Sequence, residues 1–436
     1  MLPGRVCVYI YRHDDMQKKP INQSIMASII SMFAAFFCCF LLLASTCPTD
    51  ARKHLHKKEK FNVKDYGAVA DGRTDDSPAF LKAWKDACQW DGKGKVWIPR
   101  GTYLLKPVTF KGPCKGEHVH FVIKGTLTSP GQLDQFAAGD RNWISFQYVE
   151  GLKVRGGGTL DGQGSLAWGY NDCSTNSDCK PLPVTMGFDF VKKGRVFDIS
   201  SVNSKSTHFN LFGCDDFHLS FIRISAPQLS PNTDGIRIGS STNVKIRHAV
   251  IGTGDDCVSV LSGSQNIDIY DVRCGPGHGI SIGSLGKSSA GGDVNELVRD
   301  VTVSHAVFTG TQNGVRIKTW APSSPGTAER LNFYNVEMQN VKNPIIIDQH
   351  YCPQSDCDSK AESSVQIKDV TFSRIWGWSS SKAAVNLQCS EAVPCQNVKL
   401  IDINLGYKGP GGGKATCIHE NVRGRQSGRL MNPRCA

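Results

Sequence analysis

The 436-residue sequence lacks the patterns of fibrous, disordered and polytopic membrane proteins. Its 44 glycines follow no Gly-X-Y period, which excludes a collagen-like chain. Hydrophobic residues make up 40% and charged residues 20%, a balance that excludes a wholly disordered chain and a polytopic membrane protein. Apolar residues at helical spacing nearly vanish after residue 88, so most of the chain follows no helical pattern.

One long apolar run lies near the amino terminus, at residues 25–44. Lys18 and Lys19 precede it and small residues follow it, which predicts a secretory signal cleaved near residues 46–51. The alternative is an uncleaved membrane anchor, because 20 apolar residues can just span a bilayer. We expect a protein secreted to the extracellular space or cell wall, or one anchored by this run.

The charge is positive and remains so without the leader. Outside residues 1–47 there are 46 Lys and Arg against 37 Asp and Glu, a formal charge of +9. A secreted basic protein suits a polyanionic partner, and an acidic polysaccharide fits that compartment better than nucleic acid. The basic run at residues 52–60 reads as a solvated linker or as a wall-binding patch.

Cysteine is abundant, with 17 residues, which indicates an oxidising compartment. Proximity in sequence suggests six disulfides in the mature chain: Cys88–Cys114, Cys173–Cys179, Cys257–Cys274, Cys352–Cys357, Cys389–Cys395 and Cys417–Cys435. Cys214 is left over and is expected to be buried and free. Zinc is the rival interpretation, but the spacing lacks C-x2-C and no histidines cluster with the cysteines.

Short β-rich segments recur along most of the chain. Seven of them start 27, 23, 34, 30, 34 and 33 residues apart, at 217–224, 244–251, 267–274, 301–308, 331–338, 365–372 and 398–405. Second short strands are expected between them, at 235–238, 257–260, 279–282, 314–317 and 344–347. This repeat predicts an all-β fold, a single-domain parallel β-helix; a β-propeller would need about 40–50 residues per blade.

One helix is expected before these repeats. Ser77 has the chemistry of an N-cap and Pro78 that of a first helical residue. The apolar face is Ala79, Phe80, Ala83, Trp84, Ala87 and Cys88. We expect this helix to cover the open first coil. The predicted organisation is a leader (1–47), a basic linker (48–60) and the β-helix domain (61–436).

Polar residues stand immediately before the second strand of successive repeats. Asp234, Asp256 and His278 are 22 residues apart, so they should stack in one column at about 4.8 Å. Asp255 lies beside Asp256, and two cations, at 316 and 318, alternate onto one face of the next coil. A turn ladder bonded to the backbone would explain one Asp per coil but not the adjacent pair. Clustered carboxylates with nearby cations suit glycosidic cleavage, which needs a proton donor and a base.

These residues also carry a resemblance to a known family. The blocks SPNTDGIRI (230–238), GTGDDCVSV (252–260), GPGHGISIGSLG (275–286) and RIK (316–318) resemble the signature blocks of plant polygalacturonases, glycoside hydrolase family 28. Residues 61–88 resemble the amino-terminal block of the plant members. The likeness covers about residues 60–435. It implies a right-handed parallel β-helix that hydrolyses α-1,4 bonds between galacturonic acid units of pectin, with inversion, in cell wall modification.

The resemblance also implies roles for single residues. Asp255 would be the general acid, Asp234 and Asp256 would hold and deprotonate the attacking water, and His278 would support the acid. The implied substrate-binding residues are Asn232, Arg316, Lys318 and Tyr351. Two positions depart from the family pattern: Arg237 stands where the family often has His, and Trp168 stands where two tryptophans are usual.

Two other functions compete with hydrolysis. A pectate lyase would need calcium and a basic proton abstractor, and a non-catalytic wall protein would have no use for three carboxylates facing an anionic sugar. A hydrolase of this kind needs no metal or cofactor, and a monomer is expected. Because three neighbouring carboxylates cannot all ionise freely, we expect the pKa of the acid, Asp255, to be raised.

Overall fold

The computed structural model describes residues 58–137, 139–171, 181–287, 296–353 and 361–435. The leader, most of the linker, and Cys173, Cys179 and Cys357 of the predicted disulfides lie outside these ranges. Within them, no helix is both long enough and apolar enough to cross a membrane.

Strands account for most of the described chain. They are β1 (Lys58–Asn62), β2 (Asp71–Asp75), β3 (Lys93–Ile98), β4 (Thr102–Leu104), β5 (Val108–Lys111), β6 (His118–Ile123), β7 (Thr126–Thr128), β8 (Asn142–Gln147), β9 (Leu152–Arg155), β10 (Thr159–Asp161), β11 (Val184–Asp189), β12 (Arg195–Val202), β13 (Phe209–Phe212), β14 (Asp215–Ser225), β15 (Ile236–Gly239), β16 (Thr242–Gly252), β17 (Val258–Val260), β18 (Gln265–Cys274), β19 (Ile280–Leu285), β20 (Glu296–Ser304), β21 (Val307–Thr309), β22 (Asn313–Trp320), β23 (Gly326–Val341), β24 (Asn343–Tyr351), β25 (Val365–Ser379), β26 (Ala383–Gln388), β27 (Cys395–Tyr407), β28 (Thr416–Glu420) and β29 (Val422–Asn432). The helices are α1 (Ser77–Gln89) and four 3₁₀ turns, Val63–Tyr66, Leu133–Gln135, Gly164–Leu166 and Trp168–Tyr170.

These strands form two parallel sheets that coil around one core. The eleven-stranded sheet runs β5-β8-β11-β13-β15-β17-β19-β22-β24-β26-β28. In the eighteen-stranded sheet, two series, β3-β6-β9 and β4-β7-β10, both join β12. In later coils the segments that correspond to these two series form one long strand. This strand bends at a residue with a left-handed backbone, such as Phe221 in β14, His248 in β16 and Asp271 in β18. Three β segments per coil confirm the parallel β-helix prediction.

The interior is filled by equivalent side chains of successive coils. Phe110, Phe146 and Phe188 occupy one register on neighbouring strands, with ring centroids 5.1 and 5.7 Å apart. Because side chains alternate across a strand, every second residue of the repeat points inward. The alternating burial of β14 and β16 follows this rule.

The predicted amino-terminal helix is confirmed as α1, with the predicted apolar face buried. Trp84 packs on Phe110 at 5.2 Å and donates from Nε1 to the carbonyl of Lys111. The predicted N-cap is wrong by one residue, because Asp76 occupies that position. The Asp76 carboxylate instead accepts hydrogen bonds from the backbone of the preceding loop, at Val69 and Ala70.

The predicted strands agree with the structure, with one break. Residues 301–308 are divided between β20 and β21, with His305, which has a left-handed backbone, between them. Four predicted disulfides are present: Cys88–Cys114, Cys257–Cys274, Cys389–Cys395 and Cys417–Cys435. Cys352 is also disulfide-bonded, and Cys214 is free and buried, as expected.

Candidate active site

The register of the eleven-stranded sheet brings the predicted polar column together. Ile236 of β15 pairs with Val258 of β17, which pairs with Ile280 of β19. These pairs are 22 residues apart, so Asp234, Asp256 and His278 occupy equivalent places before successive strands. The spacing therefore predicted the column correctly.

Asp256 is the most enclosed of the three carboxylates, with 2% of its side chain exposed. Its Oδ1 accepts from Arg316 at 2.9 Å and from Ser281 Oγ at 2.8 Å, and its Oδ2 accepts from Lys318 at 2.9 Å. Arg316 also donates from Nε to Ser281 Oγ at 3.0 Å. The two predicted cations thus act as counter-ions of Asp256 in the unliganded protein.

Asp234 repeats this arrangement one coil earlier. Its Oδ2 accepts from Ser259 Oγ at 2.9 Å, and Arg237 lies 3.3 Å from its Oδ1. Only 8% of the Asp234 side chain is exposed, so its positive counter-charge comes from a protein side chain, Arg237, rather than from solvent. The cation at the position where the family often has His therefore contacts a predicted catalytic carboxylate.

Asp255 faces the open side of the cluster, with 21% of its side chain exposed. Its Oδ1 contacts Nδ1 of His278 at 3.1 Å and accepts from the backbone N–H of Asp256 at 2.7 Å. Oδ2 is the oxygen left for a ligand. A depression of about 360 Å³ opens beside His278, lined in part by Gln228, Gln312 and Lys342.

The carboxyl group with the raised pKa is not the one expected from the sequence. Burial raises the pKa of Asp234 to about 6, against the opposing effect of the Arg237 charge. Burial also opposes ionisation of Asp255, but the hydrogen bond and charge of His278, with the charge of Lys318, lower its pKa to about 2. The prediction of a raised pKa for Asp255 is therefore wrong, and the raised pKa belongs to Asp234.

The other predicted ligand-binding residues lie at two places. The Tyr351 ring lies beneath both cations, 5.0 Å from Lys318 Nζ and 5.9 Å from the Arg316 guanidinium. Asn232 donates from its amide to Asn171 Oδ1 at 2.9 Å. Tyr351 therefore joins the Asp256 cluster, whereas Asn232 contacts the loop that follows the 3₁₀ turns.

Sequence reasoning missed the two serines that hold the carboxylates, Ser259 on Asp234 and Ser281 on Asp256. Arg237, Ser259, Ser281 and Arg316 share one register across β15, β17, β19 and β22. Each stands three residues after the polar residue that precedes its strand. Aligning the repeats on those polar residues would have shown this second column.

The donor atoms of Asp255, Asp256 and His278 lie within 4.8 Å of one another, close enough to bind a metal ion. Both oxygens of Asp256 are already bonded to cationic side chains. A divalent ion there would be repelled by Arg316 and Lys318, so this donor set suits a metal poorly. Metal independence remains a prediction that chelation tests.

Comparisons with known proteins agree with this geometry. The model of glycosyl hydrolases family 28 matches residues 88–428. An exopolygalacturonase of Platanus acerifolia is 46% identical over 372 residues, which are 85% of this chain and 96% of that protein. A polygalacturonase of Gossypium hirsutum is 43% identical over 371 residues, 85% of this chain and 89% of that protein.

Solved structures share the fold at lower identity. The hyperthermoactive exopolygalacturonase from Thermotoga maritima aligns with a TM-score of 0.67 at 19% identity, over 84% of this chain and 92% of that one. Endopolygalacturonase I from Stereum purpureum, complexed with two galacturonate, aligns with a TM-score of 0.62 at 19% identity, over 80% and 98%. By its family match and its close relatives, the chain belongs to glycosyl hydrolase family 28.

Proposed function

We propose that this chain is a polygalacturonase, which hydrolyses α-1,4 bonds between galacturonic acid units of pectin with inversion. One observation carries the proposal: a partly exposed carboxylate, Asp255, stands beside two buried carboxylates that have fixed cationic partners. This division supplies one group that reaches the glycosidic oxygen and two that face a water. The family and the names of its relatives support the same substrate.

Asp255 serves as the general acid, with its carboxyl group oriented by His278. The contact of His278 Nδ1 with Oδ1 and the backbone N–H of Asp256 fix the orientation of the carboxyl group and leave Oδ2 to carry the proton. The acid form donates this proton from Oδ2 to the leaving glycosidic oxygen, and the carboxylate that remains is held by the same two contacts. Bound galacturonate favours the protonated form, because its negative charge offsets that of Lys318, one of the groups that keep Asp255 ionised.

Asp234 and Asp256 position the attacking water and take its proton. A carboxylate offers about four acceptor sites. The contacts of the described residues fill three on Asp256 and two on Asp234, so each keeps an oxygen site for water. Water held there attacks the anomeric carbon while Asp255 protonates the leaving group, and the proton lost by water goes to this pair.

The cations and Tyr351 form the substrate-binding part of the proposal. Arg316 and Lys318 retain N–H groups beyond those used on Asp256, and these can bind the sugar carboxylate. The Tyr351 ring contacts both cations and completes this group. Asn232, whose amide donates to Asn171, is the fourth substrate-binding residue of the proposal.

The remaining expectations belong to the same proposal. Residues 1–47 serve as a secretory leader, residues 48–60 as a connecting segment and residues 61–436 as the enzyme domain, acting as a monomer in the cell wall. Strand β1 begins at Lys58, so residues 58–60 at the end of the connecting segment pair with β3 of the domain.

The proposal is tested by incubating the purified protein with polygalacturonic acid at mildly acidic pH in EDTA. We expect new reducing ends without ultraviolet absorbance, because hydrolysis creates no double bond and needs no metal. An unsaturated product, or activity that EDTA removes and calcium restores, would indicate a lyase. The variant Arg330→Gln, which removes a surface ion pair with Asp300, is purified and assayed in parallel as a control for effects of preparation.

A further inference from the structure

A row of basic side chains crosses the eighteen-stranded sheet, on a different face from the active site. Strand pairing places seven basic residues in one continuous register on β1, β3, β6, β9, β12, β14 and β16. This basic column consists of Lys60, Lys95, His120, Lys153, Arg195, His218 and Lys245. Seven adjacent strands span about 29 Å at a spacing of about 4.8 Å.

Like charges on neighbouring strands destabilise the fold, so the stability of the fold does not explain this column. Among the described residues, the acidic partner of the column is Asp216, which contacts Arg195 at 3.1 Å and His218 at 3.2 Å. Over the same residues, no ion pair is found for Lys95, Lys153 or Lys245. The next residue in the register after Lys245 is Asp268, so the column ends on a residue of opposite charge.

The middle of the column contains a depression of about 370 Å³, lined by His120, Lys153, Arg155, Arg195, Val196, Phe197, His218 and Ser220. Burial, followed by the charges of Lys153 and Arg155, lowers the pKa of His120 to about 4. Burial, followed by the charge of Arg195, lowers the pKa of His218. The buried Nε2 of His120 has no hydrogen-bond partner among the described residues. Burial is the larger cause at both histidines, and the positive charges beside them add to it.

A second register beside the column supplies aromatic rings. It includes Trp97, Arg155, Phe197 and Tyr270. Lys60 and Lys95 lie 5.4 and 5.7 Å from the Trp97 ring, and Arg155 lies 5.9 Å from the Phe197 ring. Rings beside a row of cations can contact the apolar faces of sugars while the cations bind their acid groups.

We propose that the basic column is a second binding site for a linear acidic polysaccharide, such as de-esterified pectin, remote from the active site. Lysines set along one straight line, at Lys60, Lys95, Lys153 and Lys245, fit one extended chain with regularly repeated carboxylates. Duplex nucleic acid presents two rows of phosphates, and a membrane surface would require a broad basic face rather than one row.

Such a site would hold the enzyme on its polymer between cleavage events. Binding at one site raises the effective concentration of polymer at the other, provided that the polymer can reach both. Short oligosaccharides cannot span the two faces. The column should therefore affect long polymers and leave short ones unchanged.

The test compares two triple variants with the same change in charge. K95Q/K153Q/K245Q removes three of the four lysines of the column, whereas K82Q/K85Q/K124Q removes three lysines on the exposed face of α1 and after β6. Both are made in the full chain with Asp255→Asn, and their retention on immobilised polygalacturonate is measured at low and high salt. We expect the column variant to bind about tenfold more weakly at low salt, the control to remain within about twofold, and salt to abolish the difference.

Folding is checked by thermal unfolding, and the melting temperatures of both triple variants should be the same, because none of these lysines is buried. In the chain that retains Asp255, turnover of a galacturonate trimer should also be the same in both, because none of these lysines lies in the active site. Equal retention of both variants on the polymer would overturn the proposal. Competition by fully methyl-esterified pectin, or by duplex DNA as effective as polygalacturonate at equal charge, would overturn the assignment to an acidic polysaccharide. Retention is scored without hydrolysis, so it fails or succeeds independently of the proposed activity.

Discussion

At the scale of single residues, the proton of the carboxylate cluster is the decisive variable. Asp234 is the carboxyl with the raised pKa, yet the proposed mechanism needs Asp234 ionised and Asp255 protonated. The protonation state with Asp234 ionised and Asp255 protonated is therefore a minor one, and substrate binding must favour it. Coupled groups of this kind titrate as a set rather than one by one.

Arg237 provides a test of this assignment. Its charge opposes the effect of burial on Asp234, so Arg237→Gln should raise the pKa of Asp234 further. The competent form has Asp234 ionised and Asp255 protonated although Asp234 has the higher pKa, so its fraction is nearly constant between the two pKa values and falls as the pH rises through that of Asp234. The alkaline limb of the pH–kcat/KM profile should then move to higher pH, by roughly one pH unit, and kcat/KM between the limbs should fall, with the acidic limb unchanged.

The matched control is Arg330→Gln, which removes an arginine paired with Asp300 on the surface. It should leave both limbs in place. An alkaline limb that stays in place in Arg237→Gln would mean that Asp234 does not set it. A shift of both limbs together would mean that Arg237 acts on the whole cluster.

The candidate residues were predictable because their spacing equals the length of a coil, as in Asp234, Asp256 and His278. Their partners Ser259 and Ser281 belong to the strands themselves, and only an alignment of the repeats would have revealed them. The location of the proton was not predictable, because it depends on burial and on which carboxylate His278 contacts. The clustering of carboxylates in the sequence had suggested a raised pKa for Asp255 instead.

At the scale of elements, helix α1 closes the first coil and protects its strands. Trp84 buries its ring against Phe110 and bonds the backbone at Lys111. An uncovered first coil would expose strand edges that can pair with other molecules. The sequence predicted this helix from its apolar face, but not the earliest strands, which are short and follow no regular repeat length.

Replacing Trp84 by Ala should destabilise the fold by about 3–5 kcal/mol, because it removes a large buried ring and leaves a cavity. Thermal unfolding monitored by circular dichroism measures the effect, and light scattering detects association through the exposed coil. Lys82→Ala, on the exposed face of the same helix, is the control and should change the melting temperature little. Equal melting temperatures for both variants would show that the helix does not stabilise the first coil.

At the scale of the whole molecule, one repeat produces two surfaces with different tasks. Residues before and within strands of the eleven-stranded sheet form the candidate active site, and outward residues of the eighteen-stranded sheet form the basic column. The charge of the chain predicted a polyanionic partner without showing where it binds. That distribution depends on strand register, which places residues from distant repeats side by side.

The most direct test of the central claim is the activity of Asp255→Asn on polygalacturonic acid, with binding measured in the same preparation. Asn keeps the shape of the side chain but cannot donate a proton from Oδ2, so we predict loss of reducing-end release by at least about a hundredfold. Retention on the polymer and the melting temperature should stay close to those of the unchanged protein. Near-normal release by Asp255→Asn would contradict the account, because the general acid would then be another group.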